Sequence, residues 1–243
     1  MRKVFILDFE ATGVDPMDAR TLEVAIYSYG IETKQAHPIY CSVVYSSEYP
    51  VVSKEVLDLT GISNEELEKG VHPKEVFEKL CSLFQPMPGD RGTVIVAHNG
   101  NTYDRILFEQ ECRRYGITPP ELVWVDTMRD LPYDAHCRKL SHMTLDHGFI
   151  VDPSTLHRAS ADVELVAKIL SKYDFKELFK RATAKKVIVK AVVSYDEREK
   201  AKAKGFHWGQ IQGEAKKGWI KEVIESELSK EKLGWDFPIS LVC

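Results

Sequence analysis

With 243 residues and no apolar run that approaches bilayer length, the chain has room for one large α/β domain plus a small module, and none for a membrane-spanning helix. Its five cysteines are widely spaced without a Cys-x-x-Cys pair, which excludes a disulfide framework and fits reduced thiols in a cytosolic or nuclear setting. The net charge of -4 is uneven: Lys185 to Cys243 carries 12 Lys and Arg against 9 Asp and Glu, and the first 184 residues carry 21 against 28, so the larger part would not hold a polyanion by bulk charge.

The run Lys3 to Glu10 reads as a strand that begins too early for a signal or transit peptide to precede it, so a soluble intracellular protein is expected. It ends on Asp8-Phe9-Glu10 and a Thr12-Gly13 turn. Strand alternation puts Asp8 and Glu10 on one face, about 7 Å apart, where they would repel unless a cation lay between them. Thr21 to Tyr29 and Ile39 to Val44 read as two further strands of an antiparallel meander, followed by helical patterns at Ser53 to Leu59, Ser63 to Leu67 and Pro73 to Phe84.

Thr93 to Ala97 is a short apolar run typical of a doubly buried strand, and it empties into His98-Asn99-Gly100-Asn101-Thr102-Tyr103-Asp104. Asp104 then heads a helix in register with Leu107, Phe108 and Cys112, so it faces the core and wants a partner. Leu122 to Val125 reads as a strand, Asp126-Thr127-Met128 as the start of a helix, and Leu140 to His147 as another helix. Asp162 leads the stripe Leu165, Val166, Ile169, Leu170 and Tyr173, with His157 five residues upstream and His136, His142 and His147 as rival histidines. Phe175 to Ala182 adds a short helix.

Four carboxylates, Asp8, Glu10, Asp104 and Asp162, thus stand at the ends of apolar elements, beside a histidine. Hard oxygen ligands of this kind suit Mg²⁺ or Mn²⁺ rather than zinc. Asp8-Phe9-Glu10-Ala11-Thr12-Gly13, Ala97-His98-Asn99-Gly100 through Tyr103-Asp104, and His157 through Asp162 resemble the three motifs of the DEDDh exonucleases of the DnaQ-like superfamily, over roughly residues 1 to 173. Within it, the Glu-Ala-Thr-Gly ending and the His-Asn-Gly-x-x-Tyr-Asp spacing are most similar to the three-prime repair exonucleases of animals.

The resemblance implies an α/β, RNase H-like fold, with a five-stranded mixed sheet flanked by helices. It implies metal-dependent hydrolysis of DNA from the 3' end to nucleoside 5'-monophosphates. Two divalent ions would be held by Asp8, Glu10, Asp104 and Asp162, and His157 would act as general base, a task suited to an imidazole. Glu10 with the backbone at Ala11 and Thr12 would grip the terminal 3'-hydroxyl, and Tyr103 would touch the scissile phosphate. The partner is nucleic acid, single-stranded DNA or DNA 3' ends, with no membrane; protein partners are left open and a homodimer is compatible.

The domain boundary is placed at 184/185, ahead of a small α+β module. There Val187 to Ser194 reads as a strand, Asp196 to Lys204 as a helix, and Phe206 to Ile211 and Trp219 to Val223 as strands around a Gly213 to Gly218 turn, with Glu222 to Lys232 continuing as a helix. Trp208, Trp219, Lys202 and Lys204 interleave aromatic and basic character, the composition of a surface that stacks bases and tracks phosphates. The same pattern also fits a mini-domain whose tryptophans are its core, or a surface for a protein partner. Two rival functions stand beside the deoxyribonuclease: a 3' exoribonuclease of the ribonuclease T or oligoribonuclease kind, and a non-catalytic nucleic-acid-binding subunit.

Overall fold

Strand β1 (Lys3–Ala11) is the axis of the first unit. The structure, a computed structural model, describes residues 2–133, 137–210 and 217–242. On one side β1 pairs antiparallel with β2 (Thr21–Gly30), which pairs antiparallel with β3 (Gln35–Val43); on the other it pairs parallel with β4 (Thr93–Ala97), and β4 with β5 (Leu122–Asp126). The spatial order is β3-β2-β1-β4-β5, a mixed five-stranded sheet of the RNase H-like kind. Third in sequence, β3 begins at Gln35, four residues before the Ile39 expected. Pro38 interrupts the apolar pattern, yet the strand continues because β3 lies at the sheet edge, where a missing N–H costs no ladder bond.

Alternation along β1 sorts the two faces. Phe5, Leu7 and Phe9 pack against Val76, Phe77, Leu80 and Phe84 of α3 (Pro73–Phe84) and Leu107, Phe108 and Cys112 of α4 (Asp104–Arg114). Val4 and Ile6 face Ala159, Val163, Val166 and Ile169 of α6 (Ala159–Leu170), together with α5 (Leu140–Asp146) and α7 (Phe175–Thr183). Each fully buried Leu, Ile or Phe in these layers stabilises by about 1.5–3 kcal/mol. Two short helices, α1 (Lys54–Thr60) and α2 (Asn64–Glu68), frame a satellite cluster of Leu22, Tyr49, Ile62 and Leu67. Serine caps start both, and α2 carries a reciprocal capping box between Ser63 and Glu66.

Asp126 does not start a helix. It is the last residue of β5, and residues 127–130 form a turn held by Arg129 and Asp130 N–H groups donating to the Asp126 carbonyl at 3.0 and 2.7 Å.

The chain divides into two compact units, residues 1–182 and 183–243. The second is a four-stranded sheet in the order β7-β8-β6-β9, from β6 (Lys186–Ala191), β7 (His207–Gln210), β8 (Lys217–Ile224) and β9 (Ile239–Val242), with α8 (Arg198–Ala203) and α9 (Leu228–Lys232). Here β8 runs on to Ile224, so the helix expected from Glu222 begins only after a single 3-10 turn at Glu225–Glu227. The closing strand β9, which no sequence pattern announced, pairs with β6 just past Pro238. The expected Gly213 to Gly218 turn lies largely outside the described residues.

Candidate active site

The even-numbered face of β1 that carries Val4 and Ile6 continues into Asp8 and Glu10, so α6 is the helix that meets them. Both side chains are half-buried. Desolvation, followed by the charges of Asp104, Glu10, Asp162 and Glu23, pushes Asp8 well above the usual carboxylate range. Glu10 is pushed to about 8 by desolvation and by Asp162, Glu23 and Asp104, while Arg158 opposes the shift. Strand pairing slips between Glu10 and Ala11, and the chain leaves as Thr12 exchanges backbone contacts with Arg20: its N–H donates to the Arg20 carbonyl and its Oγ1 accepts the Arg20 N–H, both at 2.9 Å.

Asp104 is buried in the first turn of α4, where its carboxylate accepts the Phe9 N–H at 3.3 Å. Desolvation raises it to about 7, against the pull of that N–H and its own. The preceding Tyr103 hydroxyl donates to the Gly13 carbonyl, tying the second motif to the turn after the first. Gly100 is required by space: a Cβ there would lie 2.7 Å from the Ala97 Cβ and 3.5 Å from the Trp124 ring. Asn99 takes a left-handed φ of 65°.

A residue that sequence reasoning missed holds this loop. Asp126, fully buried, accepts the N–H groups of Asn99 at 3.0 Å, Asn101 at 3.2 Å and Met128 at 2.9 Å. His98 forms a second clasp, its Nδ1 2.9 Å from Thr127 Oγ1 and its Nε2 2.9 Å from the Arg138 carbonyl. A carbonyl only accepts, so Nε2 carries the proton and Nδ1 accepts from the threonine hydroxyl. Burial lowers His98 to about 4, which keeps that ring neutral.

The third motif arrives with His157 at φ 63°, a left-handed conformation that costs a residue other than glycine about 1–3 kcal/mol. Its N–H donates to Asp162 Oδ2 at 3.1 Å, and its side chain is exposed. Asp162 is buried at the start of α6 and is raised to about 6 by desolvation, with His157 opposing. Ligand atoms of Glu10, His157 and Asp162 all lie within 4.8 Å of one another.

Glu23 is the second missed residue. It is buried on β2 directly opposite Glu10, and its carboxylate takes Arg158 Nη2 at 2.8 Å, Arg158 Nε at 3.2 Å and the Ala159 N–H at 2.9 Å. Arg158 also reaches Glu66 of the α2 capping box at 3.4 Å. An acid inside the otherwise apolar run Thr21 to Tyr29 was the available signal, since a buried carboxylate wants a cation.

The structure therefore brings Asp8, Glu10, Asp104, Asp162 and His157 together at the carboxyl end of β1 and the starts of α4 and α6, with Ala11 closing β1, Thr12 on the turn after it, and Tyr103 at the head of α4 bonded to that turn. Of the rival histidines, His147 is spent between the Met143 carbonyl and the Tyr173 hydroxyl, both at 2.6 Å; His142 is exposed on α5; His136 lies outside the described residues. Trp208, Trp219, Lys202 and Lys204 belong to the second unit. Crowded, desolvated carboxylates that push one another's affinity for protons upward, joined by one imidazole, fit a hard divalent cation.

A five-stranded mixed sheet with acids converging at its central strand defines a nuclease of the RNase H-like fold. The chain belongs to the exonuclease (RNase T) family, whose model matches residues 5–170, and so to the DEDDh 3'-to-5' exonuclease superfamily. Residues 187–242 match a domain of unknown function. The chain is 27% identical over 172 residues to the PolC-type DNA polymerase III of Mycoplasmopsis pulmonis, covering 68% of this chain and 11% of that one. It is 25% identical over 169 residues to its counterpart in Mycoplasma pneumoniae, with the same coverage, so it spans about a tenth of the curated relatives it matches. Among solved structures, E. coli exonuclease I in complex with a dT13 oligonucleotide has a TM-score of 0.60 at 17% identity, over 79% of this chain and 48% of that one. A 3'-exonuclease that recognises the histone mRNA stem-loop has a TM-score of 0.57 at 16% identity, over 70% and 80%.

Proposed function

We propose that the chain is a metal-dependent exonuclease that hydrolyses DNA from its 3' end and releases nucleoside 5'-monophosphates. The observation that carries this reading is the convergence of four carboxylates and His157 at the end of β1. Asp8, Glu10, Asp104 and Asp162 would hold two divalent ions, Mg²⁺ or Mn²⁺, which when bound stabilise charge on the attacking and leaving oxygens of an in-line displacement. His157 takes the proton of the attacking water on its exposed ring and passes it to solvent. Glu10 and the backbone at Ala11 and Thr12, beside the slip in strand pairing, would meet the terminal 3'-hydroxyl, and Tyr103, whose hydroxyl donates to the Gly13 carbonyl, would touch the scissile phosphate. Glu23 and Arg158 act through His157 as positioning residues, because they fix the backbone on its carboxyl side.

DNA is favoured over RNA by the kind of relative: a DNA polymerase by sequence and an exonuclease holding dT13 by fold. A fold likeness to an mRNA 3'-exonuclease keeps RNA as the second reading. The test is digestion of matched 5'-labelled single-stranded DNA and RNA oligonucleotides with Mg²⁺ or Mn²⁺, with EDTA and His157→Ala as controls. Stepwise shortening of DNA from the 3' end, lost in both controls, supports the proposal. Preferential loss of RNA moves the substrate to the second reading, and no metal-dependent shortening of either refutes both.

A further inference from the structure

Among the described residues of the second unit, Tyr195 and Trp208 are the large aromatics left exposed, and Trp208 is the one held against a second ring. Phe206 is buried and meets Trp235 and Phe237 edge-on at 5.2 and 5.4 Å, while those two stack at an interplanar angle of 5°. Trp219 packs against the same cluster around Val189, Ala201 and Val223. Trp208 does not. It stands on the edge strand β7 with 57% of its surface exposed, opposite Trp219 in register and edge-on to it at 5.5 Å. That meeting props the indole in place while leaving ring surface open to solvent, although burying it would have stabilised the unit by about 2 kcal/mol or more.

Helix α8 and strand β8 supply basic groups to this unit. Lys202 Nζ on α8 lies 5.6 Å from the Trp219 centroid, Lys204 caps the end of α8, and Lys217 shares the Trp219 face of β8 two residues earlier. Lys202 also meets Glu199 at 2.7 Å, but both side chains are about half exposed, and such pairs contribute about 0.2–1 kcal/mol, so a phosphate can replace the carboxylate at little cost. Residues 183–243 carry 12 Lys and Arg against 9 Asp and Glu, whereas residues 1–182 carry 21 against 28. The first unit, with its net excess of acids, offers a polyanion no bulk attraction, so affinity for a long strand there would rest on metals or local basic groups, whereas the second unit has a basic balance.

We propose that the Trp208 edge of the second unit is a binding surface for single-stranded nucleic acid, a base stacking on Trp208 while Lys202, Lys204 and Lys217 meet phosphates. The choice of partner rests on the exonuclease reading; the surface itself does not. Base stacking on an aromatic side chain is sequence-tolerant, as an enzyme that shortens any sequence requires, and is worth about 1–3 kcal/mol per base.

The test uses the 243-residue chain in EDTA, with dT20 as the probe and both anisotropy and tryptophan emission as readouts. Trp208→Ala should weaken dT20 binding about tenfold, and Trp208→Phe should retain most of the affinity while losing the quenching of Trp208 emission. The double variant Lys202→Ala/Lys204→Ala should reduce the dependence of log K on log salt by about 1–2. Poly-glutamate of equal charge should not displace the oligonucleotide. Wild-type affinity in Trp208→Ala overturns the proposal; if that variant fails to fold, quenching in Trp208→Phe equal to wild type does so. Displacement by poly-glutamate also overturns it. Hydrolysis of dT20 with Mg²⁺ is scored separately: quenching without hydrolysis removes the exonuclease reading and leaves this surface, and hydrolysis without Trp208-dependent binding does the reverse.

Discussion

Glu10 and Glu23 face each other across the β1–β2 pair, and among the described residues Glu23 is the one with an ion-pair partner. Glu23 is ion-paired with Arg158, and Glu10 feels the same guanidinium only at a distance, against desolvation and the charges of Asp162, Glu23 and Asp104. Like charges directly opposite on paired strands are unfavourable, so the arrangement persists because Arg158 screens one member and a bound ion would screen the other. Glu23→Ala should therefore cost about 2 kcal/mol, discounted for the partial exposure of Arg158, by removing charged hydrogen bonds and the acceptor at the start of α6. Urea denaturation measures the loss. If Glu23 positions His157, kcat on oligonucleotides should fall at least tenfold with KM little changed, and Glu23→Gln, which keeps an acceptor for the Ala159 N–H, should recover part of it. A fall in stability with kcat unchanged would confine Glu23 to a structural role.

The pH dependence follows from the direction of the carboxylate shifts. Glu10, Asp104 and Asp162 lie at about 8, 7 and 6 in the folded chain, above their ordinary values of 4.5, 3.8 and 3.8. Between about pH 4 and pH 8 the folded state thus binds more protons than the unfolded chain, so metal-free stability declines as pH rises through that window. Thermal melts in EDTA should give a higher Tm at pH 5.5 than at pH 8. Added Mg²⁺ or Mn²⁺ should raise Tm more at pH 8, where the acids are free of protons. Asp8→Asn should raise the EDTA Tm at pH 8 while abolishing hydrolysis, a site whose function opposes its stability. A metal-free Tm that climbs with pH would refute the crowding.

Gly100→Ala should destabilise by about 1–3 kcal/mol, because its Cβ would press on the Ala97 Cβ at 2.7 Å inside a packed turn. The relief available is movement of the Asn99–Tyr103 loop, which carries Asp104 with it, so activity should fall further than stability alone accounts for. Differential scanning calorimetry and single-turnover digestion on the same preparation separate the two effects.

His157→Gly and His157→Ala should both lose hydrolysis, yet differ in stability. At φ 63° glycine removes the steric strain that alanine keeps, so the glycine variant should be the more stable by about 0.5–1 kcal/mol, after its larger unfolded-state entropy is subtracted. Equal stabilities would mean that the left-handed conformation is not retained in solution.

The acids that head amphipathic helices were legible in the sequence. Asp104 and Asp162 each lead an apolar stripe, and β1 alternates cleanly into Asp8 and Glu10. The residues that orient them were not. Asp126 closes an apolar strand, where an acid followed by threonine also reads as a helix start; only the folded path of residues 98–101 aims the N–H groups of Asn99 and Asn101 at it, beside that of Met128. Glu23 pairs with a residue 135 positions away, and a one-dimensional pattern cannot name such a partner. In the second unit, the helix expected at Glu222 gave way because β8 keeps its pairing with β6 through Ile224, overriding local helix propensity.

That separation of 135 positions also orders events during synthesis. Glu23 and the first two acids leave the ribosome long before Arg158 and Asp162, and the ion pair and the α6 cap form only when the last helix of the motif docks on β1 and β2. Long-range closure of this kind comes late in folding, after local helices and the antiparallel meander. A nascent or truncated chain that stops short of α6 therefore exposes metal-seeking acids without a histidine beside them, and nuclease competence is deferred until the first unit is complete.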